Sequence, residues 1–362
     1  MSLKTLYENF SVSPWCDDLS RDLIDKGHLL ELASKGVRGI TSNPTIFANA
    51  VLSSETYTSD IKKMASSGRQ PEAIFWELAI KDARDAADVL RPLYTKTDGE
   101  DGYVSLEVSP KFAHDHVKTI AQARLLWQSV RRANLMIKIP ATPEGLIAVT
   151  KLISEGINVN VTLIFSLHRY LEVMNAYLSG LEKRDGSLRH VHSVASFFVS
   201  RIDTAVDHLL SKSNAQSARL LSGKAAVAQN QAAYGLFLEM FNPVAHRWQA
   251  LKSRGANMQR PLWASTSVKN PKYDPLLYVN SLLLPCTVNT MPISTLQLAH
   301  QAKLEDWQLP KETFVLEAHK TLAAIESTGI NINKITDALE KDGIKKFINS
   351  YDEIIQSISK RL

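Results

Sequence analysis

Ile157-Asn158-Val159-Asn160-Val161-Thr162-Leu163 alternates without interruption, with Ile157, Val159, Val161 and Leu163 on one face and Asn158, Asn160 and Thr162 on the other. A period of two marks a β-strand. A half-exposed antiparallel sheet would alternate in the same way. Here an amphipathic helical stretch, Leu167–Lys183, follows the strand and supplies a cover for its apolar face. The polar face must then look into the interior of the sheet.

The neighbouring segments repeat the pattern. Tyr103–Val108 sets Val104, Leu106 and Val108 against Ser105 and Glu107, and Leu135–Ala141 is apolar apart from Lys138, which shares a side with Met136 and Pro140. Further strand candidates are Val12–Asp17, Gly39–Asn43, Val191–Phe198, Pro261–Thr266 and Cys286–Met291, and the strand quoted first extends to Phe165. Helical patterns lie between them, among them Leu19–Ser34, Pro71–Leu90, Pro110–Arg131, Glu144–Glu155 and Ser200–Leu210. Strand–helix alternation repeated about eight times predicts an α/β fold with a closed parallel sheet, a (β/α)8 TIM barrel. Two stretches exceed the minimal barrel. Extra helices are expected after the second strand, between Pro44 and Gly102, and at the C-terminus over Lys311–Glu326, Ile332–Lys341 and Ile344–Ser359. With no Pro/Gly-rich linker, residues 1–362 read as one domain, with 304–362 a helical extension packed on the barrel.

Composition narrows the function. The 362 residues are 44% apolar and 22% charged, an ordinary globular balance that excludes disordered, collagenous and coiled-coil chains. No apolar run approaches the roughly 20 residues that cross a bilayer, and no signal-peptide pattern opens the chain, so no membrane partner is expected. Two cysteines, Cys16 and Cys286, cannot build a disulfide framework or a four-thiolate zinc site. A reduced, cytoplasmic protein is the default. The net charge of +5 comes from scattered Lys and Arg in runs no longer than a pair, which speaks against nucleic acid and for small anionic substrates.

In a barrel, ionisable groups pointing inward at strand ends mark the catalytic end. Lys138 lies among Leu135, Met136, Ile137 and Ile139. Such desolvation favours the neutral, nucleophilic amine that Schiff-base chemistry with a carbonyl requires. A lysine paired to a carboxylate or reaching out to solvent would look the same in sequence. Asp17 and Glu107 occupy equivalent strand ends and could move protons. Asn43, Asn160, Thr162 and Ser196 are neutral donors and acceptors on the same inward side. Arg201 opens the helix after the sixth strand and Lys269 follows the seventh, where cations could hold a phosphate. His114 and His116, two apart in a helical pattern, do not face each other, and His190 and His192 on a strand lack a third nearby ligand, so both are poor metal pairs.

These residues sit in recognisable motifs. Gly39-Ile40-Thr41-Ser42-Asn43-Pro44-Thr45 resembles the Thr-x-Asn-Pro signature of the transaldolases, and Leu135-Met136-Ile137-Lys138-Ile139-Pro140-Ala141-Thr142 resembles their Schiff-base lysine segment. Val104–Val108, Asn158–Ser166, Ser196–Arg201, Trp263–Pro271 and Thr287–Pro292 match in the family order, the last two resembling the long bacterial branch. The resemblance runs from about Leu6 to the C-terminus. It implies an enzyme without metal or cofactor, a transferase moving a dihydroxyacetone unit between sugar phosphates in the non-oxidative pentose phosphate pathway. By the same resemblance Lys138 would form the Schiff base, Asp17 would take the C4 hydroxyl proton, and Glu107 would act through a water positioned by Thr162. Asn43, Asn160, Ser196 and Ser265 would contact substrate, and Arg201 with Lys269 would clamp the phosphate. The protein would be a monomer or homodimer. Two other readings stay open: a fructose 6-phosphate aldolase-like enzyme that releases free dihydroxyacetone, and a non-catalytic sugar-phosphate binder.

Overall fold

Eight strands pair in parallel in chain order and close on themselves in the computed structural model, which describes residues 3–212, 216–303, 305, 307 and 309–361. They are β1 (Val12–Cys16), β2 (Gly39–Thr41), β3 (Tyr103–Glu107), β4 (Leu135–Pro140), β5 (Val159–Ile164), β6 (Ser193–Phe198), β7 (Arg260–Ala264) and β8 (Thr287–Met291). The chain is a (β/α)8 barrel, as the alternation predicts. Every strand residue is buried. That follows from helices covering the outer face while side chains fill the interior. Two hydrogen bonds show which face is inner. Asn160 on β5 bonds Ser105 on β3 across β4, and Thr41 on β2 meets Thr290 on β8 across β1. A contact that skips a strand runs through the barrel.

The polar face of the quoted strand therefore does look inward, but its alternation stops at Thr162. Leu163 adopts φ +60° and the pairing of β5 with β6 shifts between Val161 and Ile164. The bulge turns Leu163 toward the C-terminal helix instead of continuing the outer row: its Cδ2 lies against Gly343. Bulges of this kind re-aim side chains at barrel rims.

The helices differ from expectation where local chemistry overrides periodicity. Leu19–Ser34 divides into Arg21–Asp25 and His28–Lys35 because Gly27 takes a left-handed conformation, φ +75°. The segment Pro110–Arg131 starts as a 3-10 turn, Pro110–Phe112. Its helix, His116–Val130, begins only where Asp115 accepts from Lys118 N at 3.0 Å. At the C-terminus the two expected helices are one, Ile332–Ser359. Gly343 reads as a stop signal, yet it serves a close approach: a Cβ there would sit 3.1 Å from Leu163 Cδ2 and 3.5 Å from an Arg201 nitrogen. Ala225–Met240 was not expected to be helical, because its residues are buried on nearly all sides and show no apolar stripe. Lys4–Phe10 and His246–Ser253 are further helices beyond the expected set.

The extra helices after β2 are tied down by a buried ion pair. Arg21 donates to Asp82 Oδ1 at 3.0 and 2.9 Å, and Tyr57 OH donates to Asp82 Oδ2 at 2.8 Å. The helix Ile332–Ser359 crosses the C-terminal mouth of the barrel. It is pinned to the helix Pro44–Ser53 by Ser350–Thr45 (2.8 Å), to the turn after β3 by Lys111–Asp352 (2.6 Å), and to the helix Pro71–Lys96 by Tyr351 OH donating to Glu72 (2.5 Å). Arg169, after β5, reaches Glu340 on the same helix at 3.4 Å. Positions 304 and 362, the bounds of the expected extension, lie outside the described residues.

Candidate active site

Lys138 stands at the centre of the covered mouth. Strand register sets it level with Glu107 on β3 and Asn160 on β5. The side chain is 6% exposed and the Glu107 side chain 4%, with Nζ 3.5 Å from Oε2. Nζ donates instead to the carbonyl of Ser42 at 3.0 Å, so it hangs between the ends of β2 and β3. Neither Glu107 oxygen has an aligned hydrogen-bond donor among the described residues. Burial therefore pushes its carboxyl up to about 7, although Lys138 works against the shift. Asp17, just past β1, is also raised by burial, opposed by Lys138, by the Thr41 hydroxyl and by Lys269. Three separate strands thus bring one amine and two weakened acids together.

The neutral residues form a second layer. Asn160 Nδ2 donates to Ser105 Oγ at 3.0 Å and its Oδ1 accepts from Ser196 Oγ at 2.7 Å, all three buried. Thr162 is fully buried and its hydroxyl has no partner among the described residues. Asn43 caps the helix Pro44–Ser53, its Oδ1 accepting from Ile46 N at 3.0 Å, with Pro44 at the first helical position. The cap engages one lone pair of the carbonyl oxygen, and the amide NH2 is the donor Asn43 can offer. A cavity of about 20 Å³ lies between Asn43, Glu107, Trp76 and Tyr351. That is room for about one water. Larger hollows lie away from these residues: an 870 Å³ surface groove between Met64 and Arg84, and a 340 Å³ cavity at the opposite end of the barrel beside Tyr103 and Arg260.

The expected anion-binding residues sit at the rim and do not meet one another. Arg201 stacks on Phe198 at 5.4 Å, and its Nη1 is buried without a hydrogen-bond partner among the described residues. Lys269 is exposed and donates to Ser267 Oγ at 2.6 Å. Ser265 pairs with Ser200, the hydroxyls 3.0 Å apart, and has φ +59°. Like Leu163, it holds a left-handed conformation that costs a non-glycine residue energy and recurs at functional sites. Cys16 beside Asp17 is fully buried and its thiol is pushed well up by burial, which disfavours the reactive thiolate.

Sequence reasoning missed Ser105, Ser42 and Thr41 as participants. The alternation already puts Ser105 on the face of Glu107, but nothing in the sequence assigns it a role there. The Ser42 carbonyl carries no sequence signal at all. Trp76 and Tyr351 come from the added helices, and nothing local links them to β3.

The chain matches the Transaldolase/Fructose-6-phosphate aldolase family over residues 14–358. It belongs to that family. It is 47% identical over 356 residues to a transaldolase of Thermobifida fusca, covering 97% of this chain and 96% of the relative. Transaldolase 1 of Streptomyces avermitilis is 45% identical over 358 residues, with 97% and 93% covered. A Mycobacterium tuberculosis transaldolase is 45% identical over 349 residues, with 95% and 93% covered. By membership of the family the protein is an enzyme, a transferase acting on sugar phosphates through a Schiff base.

Proposed function

We propose that the chain moves a dihydroxyacetone unit from sedoheptulose 7-phosphate to glyceraldehyde 3-phosphate, reversibly, giving erythrose 4-phosphate and fructose 6-phosphate. The observation that carries this is Lys138, buried between the Ser42 carbonyl and the Glu107 carboxylate. Relatives matched along nearly their whole length bear the transaldolase name, which supports transfer over release of free dihydroxyacetone. In this reading Lys138 Nζ attacks the ketone carbonyl and Glu107, through a water held with Thr162, returns protons so that water leaves and the imine forms. The protonated imine then takes up the electron pair as C3–C4 breaks, and Asp17 accepts the C4 hydroxyl proton. Asn43, Asn160 and Ser196 hold the three-carbon unit. The remaining enamine attacks the second aldose phosphate, and water finally cleaves the imine to free Lys138. Arg201, Lys269 and Ser265 face the phosphate in this assignment. We read the protein as a cytoplasmic monomer or homodimer of one domain that works without metal or cofactor.

Borohydride trapping with fructose 6-phosphate, followed by peptide mass analysis, tests the reading. It expects a three-carbon adduct on Lys138 that is lost when glyceraldehyde 3-phosphate is added before the borohydride. An adduct that water discharges as fast as the acceptor would point to the aldolase, and no adduct on any lysine to a binder.

Two results follow for individual residues. A carboxyl near 7 is about half protonated at neutral pH and can serve as acid and as base. Glu107→Gln therefore lowers kcat by about 10²–10⁴-fold and flattens the part of the kcat–pH profile around pH 7. An unchanged profile excludes Glu107 as the proton carrier. Arg201→Ala raises KM for fructose 6-phosphate on the order of 10- to 100-fold, the value of a charge-assisted contact. It leaves trapping by unphosphorylated dihydroxyacetone unchanged; equal loss with both ligands argues against a phosphate contact.

A further inference from the structure

Asp17 has one hydrogen-bond donor to its carboxylate among the described residues: Thr41 Oγ1, 2.9 Å from Oδ1. Thr41 Oγ1 is also 3.0 Å from Thr290 Oγ1. A hydroxyl has a single hydrogen. Since Thr41 spends its own on Asp17, it must accept from Thr290, and the chain runs in one direction, Thr290 to Thr41 to Asp17. Both threonines are nearly inaccessible, 2% and 3% exposed. Thr290 is itself held, because its backbone carbonyl accepts from Thr266 Oγ1 at 2.9 Å. The chain thus reaches Asp17 from a rigid strand on the far side of β1.

We propose that Thr41 is a positioning residue for Asp17, the middle link of a one-way hydrogen-bond chain from Thr290 that engages Oδ1 and leaves Oδ2 to work on the substrate. A carboxylate on a freely turning side chain would present either oxygen and be misdirected part of the time. Engaging one oxygen fixes the carboxylate plane, and locked geometry of this kind is what lets a base work in a single orientation. The inference rests on the reading of Asp17 as the base.

The same contact favours the ionised acid. Burial raises the Asp17 carboxyl, and the Thr41 hydroxyl opposes that rise together with Lys138 from β4 and Lys269 from the loop after β7. The other ionisable groups facing Asp17 are Glu107 from β3 and its chain neighbours Cys16 and Asp18. None of these is altered by changing a threonine. Loss of the hydroxyl moves the acid limb of activity toward higher pH, because Asp17 then protonates more easily.

The test compares pH–rate profiles of the full chain with Thr41→Val, Thr41→Ser, Thr290→Val and Asp17→Asn. Thr41→Val, close in shape, is expected to lower kcat by about 10- to 100-fold, the range for a hydrogen bond to a charged group, with KM little changed and the acid limb displaced upward. Thr41→Ser restores both. Thr290→Val displaces the limb in the same direction by less, which keeps the proposal testable if Thr41→Val folds poorly. Thr41→Ser as impaired as Thr41→Val would show a packing role and overturn the proposal, as would a wild-type acid limb in Thr41→Val and Thr290→Val. Full activity in Asp17→Asn would instead remove Asp17 as the base, whatever the threonine variants show.

Discussion

Lys138→Ala and Lys138→Met abolish the borohydride-trapped adduct and lower turnover on the order of 10⁴-fold or more, the scale on which covalent nucleophiles fail when removed. The other groups of the site cannot substitute for the amine. Asp17 and Glu107 can move protons, but neither can form an imine, so the electron sink for breaking a carbon–carbon bond is gone. The protein should nonetheless fold. Removing Lys138 takes away the cation that holds the Glu107 carboxyl down. Glu107 then rises further and is neutral at pH 7, and a buried neutral acid is far less costly than a buried unpaired charge. Lys138→Met also keeps most of the stem volume in the buried barrel interior. Far-ultraviolet circular dichroism and the urea midpoint check that the loss is chemical. An adduct on another lysine in Lys138→Met, with turnover within tenfold of wild type, would sink the assignment.

That the sequence points to Lys138 at all has a simple cause. Strand periodicity is local, so Lys138, Glu107, Asn160 and Thr162 declare their common face within a few residues of themselves, and barrel closure then fixes where that face looks. Asn43 is legible for a different reason: Asn-Pro is both a helix start and the end of a short strand. What was not legible is long-range. The Thr41–Thr290 contact joins residues 249 apart. The course of Ile332–Ser359 across the mouth depends on Tyr351, Ser350 and Gly343 meeting Glu72, Thr45, Leu163 and Arg201 on four different elements, and read alone Gly343 argues for a break where the structure has none. The bulge at Leu163 hides inside an apparently perfect alternation, because a backbone turn leaves no mark when the residue making it is itself apolar.

The opposite end of the barrel carries the largest expected effect on stability. Asp101, which precedes β3, is fully buried and accepts from four groups: Ser13 Oγ (2.8 Å) and Arg38 Nε (2.6 Å) on Oδ2, Arg260 Nη2 (2.8 Å) and Trp15 Nε1 (3.3 Å) on Oδ1. It therefore joins β1, the lead into β2, the lead into β3 and the start of β7 in one charged knot. Burial alone would raise its carboxyl, but Arg260 and Arg38 outweigh that and hold it below the ordinary carboxylate range. Asp101→Asn leaves two largely buried guanidinium groups facing an amide in place of the carboxylate that pairs with them. Breaking a buried pair from one side costs about 3–5 kcal/mol, so the urea midpoint should fall sharply with little change in slope. The sign with pH is set by the depressed carboxyl. Its contribution is fully present above the unfolded value near 4 and is lost as pH falls through the lower folded one, so wild type and Asp101→Asn converge in acid. Specific activity of the folded variant should stay close to wild type, because Lys138, Glu107 and Asp17, the groups proposed to carry the chemistry, lie at the other ends of the strands. A stability gap that stays constant from pH 7 down to pH 2 would show that shape, and not charge, holds the knot together.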